Sequence, residues 1–287
     1  PKSPQPPKRN WLERTVSGQP DPFQFIPIGN WEVQGDSLIY QQYIDEGIYD
    51  RKSASLQAFG GFDAGTHIVR QKFYLGTDKF GRDILSRLII GTRISLLVGG
   101  IAMLLSLTIG LLLGTLAGYY GGRYDQAITW LINVIWSIPT LLLVFAITLL
   151  LGKGFWQVFI AVGLTMWVNV ARLVRGQLIA MRNLEYVEAA RALGYRDMRI
   201  ILRHILPNIM GPVLVVAAAN FASAIVVEAG LSFLGVGVQP PQPSWGGMIK
   251  ENYNFIITNN PMLALAPGFA IMLLVLAFNL IGNGIRD

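Results

Sequence analysis

Apolar residues in this chain are not scattered; they gather into long runs joined by short polar connections. A helix needs about 20 mainly apolar residues to cross roughly 30 Å of hydrocarbon. Five runs satisfy this: about Ile94–Gly118, Gln126–Leu151, Phe155–Leu173, Ile209–Gly230 and Met262–Ile281. The second and fifth are almost free of charge, and the third ends in Arg172 and Arg175, long enough to snorkel to an interface. The pattern predicts an all-α integral membrane domain over 76–287. Just ahead of the first run, Ile84, Leu85, Leu88 and Ile89 share one helical face, which predicts an amphipathic helix lying at the outer interface. Residues 1–22 are rich in proline and polar groups and read as a linker. Residues 23–75 alternate aromatic, apolar and polar positions, so a small, partly β segment is expected. Together 1–75 form a linker and insertion outside the membrane domain.

One polar interruption, at about 176–207, stands apart. It contains Glu185–Asn208, EYVEAARALGYRDMRIILRHILPN, between two apolar runs. Val187, Ala190 and Leu193 fall on one helical face. Gly194 suits the left-handed position that ends a helix, and Asp197 is placed to cap a second one. In that second helix Met198, Ile201, Leu202 and Ile205 form an apolar stripe, and Pro207 stands at the entry to the next span. The segment reads either as a solvated loop or as a short, rigidly held helix offered to a cytoplasmic partner.

Charge settles the expected sidedness. The chain has 287 residues, 52% hydrophobic and only 14% charged, against about 25% charged in soluble domains. Arg172, Arg175, Arg182, Arg191, Arg196, Arg199 and Arg203 crowd one connection, whereas its neighbours hold little more than Lys153 or Lys250. The positive-inside rule then puts 176–207 and the C-terminus in the cytoplasm, and residues 1–93 outside. Lys79, Arg82, Arg87 and Arg93 run against this, but long segments translocate largely regardless of charge. Five spans leave the two ends on opposite sides. Because the chain starts at Pro1, a sixth, N-terminal span is expected upstream. The net charge of +6 reports topology, and no basic cluster is interleaved with aromatics as nucleic-acid binding requires. Without cysteine there is no disulfide or thiolate site, and His67 and His204 lie too far apart to suggest a metal.

Other candidates are few. Gly76–Asp83 has the glycine spacing of a phosphate loop but lacks its Lys-Ser/Thr. Glu228, near the outer end of the fourth run, is a functional candidate by default: it could meet a substrate ammonium, or pair with an arginine such as Arg93 or with backbone donors at a helix end. Asn133, Asn169 and Asn220 lie within runs and must either bond across helices or line water. Gly110, Gly114 and Gly118 recur every four residues and permit close helix approach, within this chain or against a partner. The proline-rich loop VQPPQPSWGGMIKENYNF leaves Trp245 free to lie at an interface, and reads either as an outer rim that meets a substrate-delivering protein or as a plain connecting loop. One off-centre carboxylate is too little for an ion-coupled secondary transporter, and no nucleophile–base pair suggests an enzyme.

Glu188-Ala189-Ala190, then Gly194, then Leu206-Pro207 resemble the EAA signature of the membrane subunits of bacterial ABC importers, with His204 where the signature usually has Ile. Gly76–Leu96 and Glu228–Ile249 are similar to the C-type subunits of dipeptide, oligopeptide and nickel permeases. The resemblance spans about 75–287, and residues 23–70 are longer than that subfamily leads one to expect. It implies a type I ABC importer transmembrane domain in a prokaryotic inner membrane. It further implies that Glu185, Glu188, Ala189, Ala190, Arg191, Gly194, Arg196, Leu206 and Pro207 couple to an ATPase. The partners implied are a second permease, two ATPase subunits holding ATP and Mg, and an extracytoplasmic binding protein. The chain itself would bind no cofactor and catalyse nothing. Peptides are the expected solute, with nickel chelates or glutathione as alternatives.

Overall fold

The computed structural model describes residues 26–45, 47–59, 63–68, 72–78, 81–152, 154–239, 242–257 and 260–286. The expected linker at 1–22, with Lys79 and Lys153, lies outside them. The insertion is β, as its alternation suggests. Strands β1 (Ile28–Gln34), β2 (Ser37–Asp45) and β3 (Ile48–Ser55) form an antiparallel sheet in the order β1-β2-β3. Gly35 and Gly47 take positive φ at the two hairpin turns, conformations glycine adopts without a Cβ penalty. Val33, Leu38 and Ala54 stand side by side across the sheet, with Leu38 buried. A single turn, α1 (Ala64–His67), follows.

The first long helix, α2 (Ile84–Tyr120), has 37 residues. At 1.5 Å per residue it is about 55 Å long, far beyond the hydrocarbon thickness. The amphipathic segment and the first span are thus one helix, not an interfacial helix followed by a span, because no proline lies between them and Gly91, which does, keeps the helical conformation. Asp83 caps it by accepting bonds from the Leu85 and Ser86 amides. Ahead of the cap, buried Asp78 accepts from Arg82 and Arg87 at 2.7 and 2.6 Å, and both arginines also reach Glu251. The glycine-spaced Gly76–Asp83 stretch is therefore an ionic staple between the start of α2 and a distant helix.

The second run is not one straight span. It divides into α3 (Gly122–Trp136) and α4 (Thr140–Leu151), which meet at 93° across Ser137-Ile138-Pro139. Helix α5 (Phe155–Met181) follows. It packs along α2 on the glycine row: a Cβ on Gly114 would stand 2.7 Å from the Ala171 carbonyl oxygen, and one on Gly118 2.8 Å from that of Arg175. Gly110 likewise faces Val170 and the Trp167 carbonyl. The row serves packing within this chain.

After α5 come the short α6 (Glu185–Ala192) and α7 (Asp197–Ile200), a π-helical turn (Ile201–Ile205) and α8 (Leu206–Leu234). Residues 197–234 run as one apolar rod, so the expected second insert helix is the near end of the fourth span. Gly235, in the left-handed region, ends α8 beyond the expected stop at Gly230. Helix α9 (Trp245–Asn252) and α10 (Met262–Arg286) complete the chain. Among the described residues four helices are long and apolar enough to cross a membrane, five if the bent pair counts as one crossing. Trp245 does not lie free at an interface. It is buried with Ile84, Met248 and Leu263, its indole donates to the Leu88 carbonyl at 2.9 Å, and it fills the space left by Gly91.

Candidate functional site

At one end of the bundle the EAA-like residues assemble into a single unit. Helix α6 has Glu185 and Glu188 in its first turn and Arg191 in its last, which complements the helix dipole. Its C-terminus closes by two bonds: the Gly194 amide to the Arg191 carbonyl and the Tyr195 amide to the Ala190 carbonyl, at 2.9 and 3.1 Å. This is the Schellman pattern, and it needs the positive φ that Gly194 supplies, +78°. Val187 and Ala190 are buried in a layer with Tyr119 of α2, Val174 and Leu178 of α5, and Ile200, Ile201 and Ile205. The opposite face of α6 is exposed, from Glu185 and Glu188 to Ala189, Arg191 and Leu193. The chain thus presents a short helix fastened at once to three long ones.

Two details differ from expectation. Asp197 does not cap α7; the cap position is Arg196, without a side-chain bond. Asp197 instead accepts from the Tyr119 hydroxyl at 2.7 Å, tying the end of α2 to the rod. Of the expected stripe, Ile201 and Ile205 are buried, but Met198 and Leu202 are exposed, and Ile200 is buried in their place. His204, at the departure from the family signature, stacks on Tyr195 at 5.9 Å, and Arg199 lies over the other ring at 4.4 Å. Arg196 and Pro207 are exposed, and Leu206 packs beside the layer. Nearby, Asp125 of α3 pairs with Arg175 of α5, and Arg172 sits 3.4 Å over the Trp136 ring. Sequence reading missed these contacts, although an arginine inside an apolar run signals a partner.

The intramembrane candidates separate cleanly. Asn220 is buried and donates to the Met166 carbonyl at 3.1 Å and the Ser106 hydroxyl at 3.3 Å. It accepts from Asn169 at 3.4 Å. Asn220 therefore bonds α8 to α2 and α5, whereas Asn169 and Asn133 are exposed. Asn169 lines a cavity of about 210 Å³ with Ile135, Trp136, Thr140, Ser223 and Val227, opened by the α3–α4 bend. Glu228 is fully buried. It accepts from the Ser232 hydroxyl at 2.6 Å, and that hydroxyl accepts from the Val238 amide. Arg93 is exposed and makes no such pair. Glu228 thus secures the end of α8 and the loop after it. Among the described residues no group of three or more His, Cys, Asp or Glu side chains could hold a metal ion.

Comparison with known proteins bears on this arrangement. Residues 110–287 match the family described as "Binding-protein-dependent transport system inner membrane component". The chain is 42% identical to the glutathione transport system permease protein GsiD of Pectobacterium atrosepticum, over 75% of this chain and 71% of that protein. It is 43% identical to the dipeptide transport system permease protein DppC of Alkalihalophilus pseudofirmus, over 75% and 70%, and 39% identical to the oligopeptide permease protein OppC of Bacillus subtilis, with the same coverage. Among solved structures it is similar to the inward-facing MetNI methionine ABC transporter, with a TM-score of 0.61 and 18% identity, over 71% of this chain and 96% of that one. That likeness is one of fold.

Proposed function

The chain belongs to the binding-protein-dependent transport system inner membrane components, and from that membership we propose that it carries peptides inward and takes its drive from an ATPase gripping α6. It is a multi-pass permease subunit of an ABC importer in a prokaryotic inner membrane, and it works with an ATPase and a substrate-binding protein. The finer assignments are our reading: two ATPase subunits holding ATP and Mg, a second permease of similar fold, and no catalysis by this chain. Residues 176–207 and the C-terminus then face the cytoplasm, with residues 1–93 outside.

The observation that carries the reading is the mounting of α6. Its inner face is sunk among the ends of three long helices, and its outer face is free. Glu185, Glu188, Ala189 and Arg191 form the docking face, with Arg196 beside it. Ala190 anchors the helix from within, Gly194 closes it, and Leu206 and Pro207 lie in the rod that follows. A rigid push on α6 must move α5 and α8 together, because Val187 and Ala190 cannot leave that layer without exposing it to water. Nucleotide binding then biases the bundle between two arrangements by as much as it prefers one of them. Peptide as the solute rests on the dipeptide, oligopeptide and glutathione systems named for its relatives; a nickel chelate is the alternative that an uptake assay decides. The bilayer face is α10, whose Leu265, Phe269, Leu273, Leu276 and Leu280 are exposed.

The test uses the absence of cysteine in this sequence. A single cysteine at Glu188 should resist a membrane-impermeant thiol reagent added outside intact cells, react in inverted vesicles, and be shielded once ATPase subunits bind. Labelling from outside would place α6 in the wrong compartment and end the proposal.

A further inference from the structure

We propose that the cavity at the α3–α4 bend is a subsite for one residue of a passing peptide: Asn169 takes its peptide bond and the apolar wall takes its side chain. This rests on the reading of the chain as a peptide importer subunit.

The chemistry comes from what surrounds the cavity. Helix α5 runs from 155 to 181, so Asn169 stands near its middle. An exposed amide at that depth is costly against lipid unless it meets water or another polar group. The lipid-like face of the bundle is elsewhere, on α10, where the exposed large side chains are leucine, isoleucine, methionine and phenylalanine, and the exposed Asn279 is bonded back to the Val275 carbonyl of its own helix. Around Asn169 the exposed positions include Ser137 and Thr140 at the bend and Ser223 on α8, beside the exposed apolar Trp136 and Ile138. A wall that mixes hydroxyls and an amide with apolar side chains suits a route that passes peptides.

Within it, Asn169 is held and yet unsatisfied. Its Nδ2 donates to Asn220 Oδ1 at 3.4 Å, and Asn220 is itself fixed by Ser106 and by the Met166 carbonyl. The anchor is thus buried and rigid. The Asn169 carbonyl oxygen, its second N–H and the Ser223 hydroxyl have no protein partner among the described residues. A side-chain amide with one free donor and one free acceptor matches a peptide bond, which offers one of each. It does so without regard to the peptide's sequence.

The walls take the rest. Ile135, Leu143, Met166, Val168 and Val227 line the cavity and can desolvate an apolar side chain. Its volume of about 210 Å³ equals roughly seven waters at about 30 Å³ each, room for a peptide unit and a modest side chain but not for a folded ligand. The bend makes the space: were α3 and α4 collinear, no wedge would open over α5.

The whole transporter, expressed in cells lacking other peptide uptake, provides the test, with labelled Gly-Gly and Leu-Leu as probes. Ser223→Leu fills the cavity. It should lower Leu-Leu uptake at least about tenfold relative to Gly-Gly, the scale that one or two methylenes set in an apolar pocket. Asn169→Leu should raise KM for both peptides, and Asn169→Gln should recover part of the loss. Co-purification of the ATPase subunits with each variant shows that it has assembled. Equal loss of both peptides in an assembled Ser223→Leu transporter would make this face a contact with the second permease and overturn the subsite. Unchanged uptake would overturn it too. If the wild-type transporter moves neither peptide, the importer reading itself has failed, which is a different result.

Discussion

Gly194 offers a graded test of the coupling element, because its cost can be read from one dihedral. No atom lies within 4 Å of where its Cβ would stand, so a side chain there meets no steric obstacle. What remains is the backbone: φ is +78°, and an L-residue in the left-handed region loses about 1–2 kcal/mol. Alanine should lose about that much, asparagine less because its short polar side chain tolerates the region, and valine more because it is β-branched. The loss falls on an eight-residue helix, too short to hold itself in water, so it appears as local opening of α6 and leaves the bundle intact. A change of about 1–2 kcal/mol shifts a two-state ratio roughly 5- to 30-fold. Amide exchange reads this directly, since the Gly194 and Tyr195 amides close the Schellman pattern. Exchange there should accelerate by that factor in Gly194→Ala, less in Gly194→Asn and more in Gly194→Val, with ATPase co-purification and uptake falling in the same order. Gly194→Asp, which adds charge as well, should insert normally and lose ATPase association. If the valine variant exchanges and transports like the wild type, α6 is not held by its glycine stop and the lever reasoning fails.

Gly114→Ala and Gly100→Ala make a matched pair on α2. The first places a Cβ 2.7 Å from the Ala171 carbonyl, while nothing lies within 4 Å at Gly100. Overpacking of about 1–3 kcal/mol should lower the melting temperature of Gly114→Ala in detergent by several degrees. Gly100→Ala should hold or rise, and equal behaviour would contradict a tight α2–α5 seam. Trp245→Ala should cost about 3–5 kcal/mol as a buried large-to-small change, measured by thermal unfolding; a loss below 1 kcal/mol would mean that the indole does not pin α9 to α2. Asp125→Ala removes the partner of a half-buried Arg175. It should destabilise by about 1–3 kcal/mol, the cost of an unmet charged hydrogen bond, and a second change, Arg175→Gln, should then add little; additive losses in that double-mutant cycle would show that the two residues do not interact.

What could be read from the sequence was local. The Glu-Ala-Ala, Gly and Leu-Pro spacing marked α6 because a helix, its glycine stop and the following proline lie within one short stretch. The four-residue glycine row marked a close helix contact for the same reason, though its partner α5 could not be named. What escaped was set by contacts distant in sequence. Trp245 looks like an interfacial aromatic until Gly91, more than 150 positions away, supplies the hole for it. Asp197 reads as a cap by position, but the Tyr119 hydroxyl competes for it successfully. Glu228 is the exception: it invites a distant arginine, yet Ser232, one turn along the same helix, donates to it.

The prolines are the harder case, because the same residue does different things in one chain. Pro212 and Pro267 lie inside α8 and α10 without dividing them. At Pro139 the helix ends. The residue before a proline is pushed out of the helical region, and here Ser137 adds a second break. Its hydroxyl lies 2.9 Å from both the Asn133 and the Val134 carbonyls; the Asn133 carbonyl already has the Ser137 amide, so the one hydroxyl hydrogen can serve Val134, whose helical donor Ile138 turns instead to Ile135. The chain then restarts with the Leu143 amide on the Pro139 carbonyl. Pro207 is relieved in a third way. Its ring would crowd the carbonyl four residues back, and the turn ahead of it widens, with the Leu206 amide reaching five residues back to Ile201. A hydropathy window sees none of this, since it counts apolar residues and carries no direction. A serine two positions before a proline marks a corner, and a proline at the foot of a span marks a widened turn. In this chain the first makes the cavity over Asn169, and the second sits inside the rod that follows α6.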